Sequence, residues 1–200
     1  MSRQFWLPGA TTIGLVCKDG VILASEKRVT YGSLVVSRTY KKVFKITPTI
    51  GAACAGLVSD MQILVREATA YANLYMLERG RTIPVRAAAK IMSNLLFSMR
   101  LAPLITQTIV GGVDDEGPSV YALDLLGSVI RDDYVAVGSG AEIAVGVLEA
   151  GYRKDMTMKE GKELVTRAIK SAIRRDAMSG DGIDFLMITK DGSNEETIMF

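Results

Sequence analysis

Two pairs of amphipathic helices, set apart and flanked by runs of short strands, limit most sharply what this chain can become. In the first pair, Ser59 or Asp60 caps a helix reaching about Arg79, with Met61, Leu64, Val65, Ala68, Ala72 and Tyr75 at i, i+3, i+4 spacing and Gly80 at its end. Its partner starts near Thr82, has Pro84 in its first turn, and carries Val85, Ala88, Ala89, Met92, Leu95, Leu96 and Met99 on one stripe. In the second pair, Gly138-Ser139-Gly140 opens a helix from about Ala141 to Ala150. Thr157 with Glu160 then forms a capping box for a helix reaching Asp176, whose core side holds Leu164, Val165, Ala168, Ile169, Ala172 and Ile173.

Strands fill the intervals. A Pro8-Gly9 break precedes an alternation that puts Ile13, Leu15 and Cys17 on one face, and Asp19-Gly20 turns it back into Val21–Lys27. A loop through Tyr31-Gly32 leads to Val43–Ile46, and Thr49–Gly56 follows the break at Pro48. Further strands are read at 106–113, 119–125, 128–131, 134–137, 184–189 and 196–200. Ile50–Gly56 is built mostly from small residues. It suits either tight sheet-to-helix packing or a backbone edge that pairs with an extended peptide. Two antiparallel sheets stacked face to face, with a helix pair over each outer face, bury every stripe: an α+β, four-layer αββα sandwich in one domain.

Composition removes several classes of function. The sequence contains no histidine, which excludes imidazole acid–base devices and His metal sites, and with only two cysteines a metal is not expected. Cys17 and Cys54, inside apolar runs, read as buried free thiols of a reducing compartment. Net charge is +2, from 24 Lys and Arg against 22 Asp and Glu, with no basic block interleaved with aromatics, so nucleic acid is not a partner. No run reaches the ~18 apolar residues of a membrane span, and Met1–Gly9 is too short for a signal peptide; a cytoplasmic protein is expected.

Separated islands then agree on one family. Thr11-Thr12-Ile13-Gly14, Ser25-Glu26-Lys27-Arg28, Lys41-Lys42-Val43-Phe44, Ala55-Gly56-Leu57-Val58-Ser59-Asp60, Gly111-Gly112-Val113-Asp114, Gly138-Ser139-Gly140 and Arg175-Asp176-Ala177-Met178-Ser179-Gly180 stand in the order found in that family. From Gly9 onward the chain closely resembles an archaeal-style proteasome β-type subunit of the N-terminal nucleophile hydrolase superfamily. The resemblance implies a leader, residues 1–9, cleaved by the chain itself after Gly9, and one β-type domain, residues 10–200. It implies a nucleophilic threonine whose own α-amine, with a reference pKa of ~7.7 to 8, is the base. No cofactor is needed.

By family register Lys42 lowers the proton affinity of the nucleophile, and Glu26, where the family often has Asp, orients that lysine. Gly56 gives the oxyanion N–H, and Ser139, Asp176 and Ser179 support the terminal amine. The pocket for the residue before the cut would be lined by Val29, Tyr40, Cys54, Val58 and Gln62, an apolar wall that favours hydrophobic or aromatic residues. Thr30, Gly56 and Val58 would bond the substrate backbone. The resemblance further implies heptameric β rings shared with other β subunits, flanked by α-type rings, fed by an ATPase through the α ring with unfolded polypeptide.

One departure matters. The register that aligns Glu26, Lys42 and Gly56 places Ala10 where the family has its nucleophilic threonine, and counting from Thr11 turns every partner to the opposite strand face. A methyl can neither attack nor give a proton, and losing a nucleophile removes on the order of 10⁶ in turnover. The chain is therefore expected to be inactive and to keep its leader. It is either an active subunit with its threonine exchanged or a naturally silent, structural β subunit of a mixed ring, and the survival of six partner residues favours the first.

Overall fold

The computed structural model describes residues 9–200. β1 (Thr12–Cys17) turns into β2 (Gly20–Glu26). A small hairpin of β3 (Val29–Tyr31) and β4 (Leu34–Ser37) follows, then β5 (Val43–Thr47) and β6 (Ile50–Gly56). Helices α1 (Val58–Arg79) and α2 (Val85–Ser98) lead to β7 (Thr106–Asp114), β8 (Gly117–Leu123), β9 (Val129–Asp132) and β10 (Tyr134–Val137). Helices α3 (Ala141–Gly151) and α4 (Met158–Ile173), then β11 (Gly182–Thr189) and β12 (Gly192–Met199), complete the chain.

One antiparallel sheet runs β10-β1-β2-β11-β12 and the other β5-β6-β7-β8-β9. Strand alternation sorts their side chains into three cores. Ile22 and Ala24 of β2 and Ile183 and Phe185 of β11 face α3 and α4, together with Ile13, Leu15 and Cys17 of β1, as their spacing requires. Val21, Leu23, Leu186 and Ile188 face the other sheet, where Ala53, Ala55, Ile109 and Val120 meet them. Ala52 and Cys54 of β6 turn outward to Met61, Leu64 and Met92 of the first helix pair. Three cores separate four layers, so the αββα sandwich is the fold. The sheets stack closely because β1 has glycine at its inward position: a Cβ on Gly14 would lie 2.6 Å from Ile109 Cγ2.

Several local readings are corrected. The segment read as a loop around Tyr31-Gly32 contains the β3–β4 hairpin. Ser59 and Asp60 do not cap α1: Leu57 is the N-cap, and Asp60 instead accepts the backbone N–H of Ile105 at 2.7 Å. Pro84 precedes α2 as its N-cap, and Met99 lies beyond that helix, half exposed. Helix α4 ends at Ile173, short of Asp176, although its Thr157–Glu160 capping box is formed as read. Strand β12 begins at Gly192 rather than Glu196. Finally, β6 lies inside its sheet: β5 pairs with it from Ile50 to Ala53, the Cys54 N–H donates to the Lys42 carbonyl just before β5, and β7 pairs along its whole length, so only Ala55 and Gly56 run past. Its small residues serve packing for most of that length.

Candidate active site

Ala10 sits just before β1, buried, where the inner core opens toward one end of the sheets. Its side chain touches that core, and its polar contacts are all made by its backbone. The Ala10 N–H donates to Ser139 Oγ at 3.1 Å, and its carbonyl accepts the Gly140 N–H at 3.2 Å. Gly138, between β10 and α3, has φ +97, and a Cβ there would stand 2.2 Å from the Ala10 carbonyl oxygen. A residue with a side chain is excluded twice, by its backbone angle and by the close approach.

Asp176 gathers the polar groups beside Ala10. One of its carboxylate oxygens accepts Ser139 Oγ–H and Ser179 Oγ–H, both at 2.6 Å. Since the Ser179 proton goes to Asp176, Thr11 Oγ1 is the donor in its 2.7 Å bond with Ser179 Oγ. The structure thus joins Ser139, Asp176 and Ser179 in one network around the backbone of residue 10. Thr11, which the register leaves without a catalytic role, also joins this network through its hydroxyl.

Lys42 and Glu26 form a second unit. Lys42 lies immediately before β5 and Glu26 ends β2, both fully buried and ion-paired. Lys42 Nζ also donates to the Arg28 carbonyl at 2.6 Å, while the other Glu26 oxygen accepts the N–H groups of Arg28 at 2.7 Å and Gly180 at 2.9 Å. Burial pushes Lys42 below the usual lysine range, with Glu26 pulling it back up. Burial likewise raises Glu26, opposed by Lys42 and by the Gly180 and Arg28 N–H groups. A lysine held in this way is closer to proton exchange near neutrality than a solvated one.

Arg28 ties the two units together, a role the sequence reading did not assign. Its guanidinium grips Asp181 through Nε at 2.8 Å and Nη2 at 3.3 Å and donates to the Ala177 carbonyl at 3.0 Å. The loop bearing Asp176 and Ser179 is thereby fixed to the end of β2. Lys27 and Asp184 were likewise missed. They form a buried pair at 2.6 Å, with Thr197 Oγ1 donating to Asp184 at 2.6 Å. Partners about 150 positions apart leave no local signal in sequence.

Gly56 ends β6 with φ +152, where a Cβ would lie 2.1 Å from the Ile105 carbonyl oxygen. Of the proposed substrate wall, Cys54 is buried, Tyr40 and Val58 pack on its cluster, and Gln62 Nε2 donates to the Tyr40 hydroxyl at 3.2 Å. Val29 and Thr30 lie on β3, and the Thr30 hydroxyl is buried without a hydrogen-bond partner among the described residues. Burial drives the Cys54 thiol up to about 12, so it acts as a small apolar wall and not as a nucleophile. The described residues contain no group of three or more potential metal-binding side chains. None of their helices is long and apolar enough to cross a membrane.

Two facing antiparallel sheets between two helix pairs, with β1 opening on such a network, are the architecture of the N-terminal nucleophile hydrolases. Residues 7–188 match the family described as proteasome subunit. The chain is 50% identical over 194 residues to proteasome subunit beta 1 of Nitrosopumilus maritimus, which spans 97% of this chain and 98% of that protein. It is 48% identical over 198 residues to proteasome subunit beta 2 of Caldivirga maquilingensis, 99% of each chain. The chain belongs to the proteasome family as a β-type subunit. Members of this class are, as a family, threonine peptidases that form rings with α-type subunits in the core particle.

Proposed function

We propose that this chain is a threonine endopeptidase subunit silenced at one side chain: Ala10 occupies the nucleophile position, and residues 1–9 remain attached as a leader to the domain of residues 10–200. In this reading Lys42, oriented by Glu26, would draw the proton affinity of a residue-10 hydroxyl down. Ser139, Asp176 and Ser179 would hold the freed amine, and Gly56 would donate to the oxyanion, a contact worth ~10² to 10³ in rate. The wall of Val29, Tyr40, Cys54, Val58 and Gln62 would take an apolar residue before the cut, with Thr30, Gly56 and Val58 binding the substrate backbone. The substrate class is unfolded polypeptide delivered through the α ring by an ATPase, in the cytoplasm. Exposed Leu74, Leu77, Phe97 and Leu101 supply apolar surface for neighbouring subunits.

The observation that supports this reading is the Asp176 network that holds the residue-10 amide through Ser139, together with the buried Lys42–Glu26 pair, whose Glu26 N–H donates to the carbonyl of the adjoining Thr11. A purely structural subunit has no need of a buried lysine there. Intact mass of the Ala10→Thr chain, assembled with α-type subunits, is the test. Loss of residues 1–9 together with peptide cleavage is expected. A chain that keeps its leader and cleaves nothing would instead make this a naturally silent, structural member of a mixed ring.

A further inference from the structure

A cavity of about 540 Å³ lies between α2 and the edge strand β9, apart from the site around residue 10, and is lined by Arg86, Lys90, Glu116, Tyr121, Val129 and Arg131. Its walls come from separate elements that the fold brings together. Arg86 and Lys90 stand four apart on α2 and so share a helix face. Arg131 of β9 pairs directly across from Tyr121 of β8, which puts both on one face of the sheet. That face is the one α2 covers, since Tyr121 belongs to the core formed with Val85 and Ala89, and Val129 packs against it.

Charge and an unused hydroxyl decide what belongs there. Three cations face one carboxylate, Glu116, an excess equal to the +2 of the whole chain. Among the described residues none of Arg86, Lys90 and Arg131 has a carboxylate oxygen within 4.0 Å. The neighbouring Asp114 carboxylate is taken up by the Val85 N–H at 2.8 Å and the Glu116 N–H at 2.9 Å. Tyr121 is 6% exposed, and its hydroxyl makes no hydrogen bond among the described residues. Nor is that hydroxyl sealed in, since among those residues only Thr30 and Ser193 have hydroxyls both enclosed and unpartnered. It therefore opens to the cavity as a free donor at its buried end. Arg167, Lys170 and Arg174 border another groove, but all three lie along α4 and its end, with no buried polar side chain beside them, as on a solvated face.

We propose that the cavity between α2 and β9 binds a multiply charged anion of the phosphate class, with Arg86, Lys90 and Arg131 taking up its charge and Tyr121 donating to one of its oxygens. Arginine presents paired N–H groups that match phosphate oxygens, and lysine adds a point charge. At ~30 Å³ per water the space equals about eighteen waters, enough for a chain of two or three phosphates. A bound anion relieves the repulsion between Arg86 and Lys90 and clasps β9 to α2. The assignment does not depend on the reading of residue 10.

Isothermal titration of the full chain with orthophosphate, pyrophosphate and ADP at fixed ionic strength tests the site. Pyrophosphate is expected to bind at least ~10-fold more tightly than orthophosphate. Arg131→Gln, or Arg86→Gln combined with Lys90→Gln, should weaken pyrophosphate at least ~10-fold, and Tyr121→Phe, which keeps the packing, several-fold. Arg167→Gln combined with Arg174→Gln, in the other groove, should leave it unchanged. The tighter of ADP and pyrophosphate then names the source, a nucleotide or a free phosphate chain. Absence of pyrophosphate binding up to ~10 mM, or binding that the Arg131, Arg86 and Lys90 variants leave unchanged while circular dichroism shows them folded, overturns the proposal.

Discussion

Lys42→Met is the most searching perturbation of the buried pair, because it removes one charge while keeping most of the stem that fills the space. Lys42 is 2% exposed and Glu26 0%, and breaking such a pair from one side costs ~3 to 5 kcal/mol. Here Glu26 would still accept the Arg28 and Gly180 N–H groups, so the low end, about 3 kcal/mol, is expected. Glu26→Gln has one acceptor oxygen where the carboxylate has two, so either the Lys42 ammonium or the Arg28 and Gly180 N–H groups meet an NH2 donor, and about 5 kcal/mol is expected. The double variant carries neither charge and nearly the same volume, so its cost should fall to about 1 to 2 kcal/mol. Urea unfolding of the purified chain, followed by circular dichroism, measures all three.

The pH dependence gives a second check on the same variants. In Lys42→Met the two influences of lysine that lower the Glu26 pKa are gone, so its folded value rises further above its unfolded one. Folded chain then holds a proton that unfolded chain has released, and stability falls as pH rises through the folded value. The gap to the parent should widen from pH 5 to pH 8. Additive single and double costs, or a Lys42→Met loss below about 1 kcal/mol, would refute the argument that the two charges hold each other.

Two further outcomes follow from the neighbourhood. Asp181 is held below the usual carboxylate range by its hydrogen bond and charge pairing with Arg28. Its contribution is complete above the unfolded pKa of ~4 and disappears as pH falls through the lower folded value, so the parent should be more stable than Asp181→Asn at neutral pH and the margin should close as acid is added. Gly138 and Gly117 both have φ +97, but a Cβ on Gly117 meets nothing within 4 Å whereas one on Gly138 meets the Ala10 carbonyl at 2.2 Å. Gly117→Ala should show backbone strain alone, of order 1 to 3 kcal/mol, and Gly138→Ala clearly more; equal melting losses would show that the close approach carries no weight.

Helix stripes and the alternation of β1 were legible because burial imposes a period on them: Ile13, Leu15 and Cys17 had to share a face once one sheet covered α4. The β3–β4 hairpin was not legible. Its strands are three and four residues long, and Tyr31, Leu34 and Val36 point into solvent, so no burial wrote a pattern there. Edge strand β12 was half missed for the same reason, Glu195 and Glu196 being satisfied by Lys41 and Lys162 from other elements. Caps misled where a side chain had a distant use, as with Asp60 and the Ile105 N–H. At the site, Lys42, Glu26, Ser139, Asp176 and Ser179 stood out only as a family register. Arg28, Lys27 and Asp184 did not stand out, since each looks like an ordinary surface charge until the partner strand is in place.

The hydrogen bonds that fix residue 10 would let a chain without the nucleophilic hydroxyl keep the shape of one that has it. They run from its amide to Ser139 Oγ and from the Gly140 N–H to its carbonyl, and the Asp176 network closes through Ser139, Ser179 and Thr11. Lys42 is held by Glu26 and the Arg28 carbonyl. The residue-10 side chain takes part in none of these bonds, so an exchange of threonine for alanine there would leave the architecture standing while removing the reacting hydroxyl. Stability and chemistry are thereby separable at this one position, whereas at Lys42 or Asp176 they are not: there the group that would serve the reaction also satisfies buried or clustered polar partners. A change confined to residue 10 is thus the least disruptive way, within this fold, to make a ring subunit that assembles without cutting.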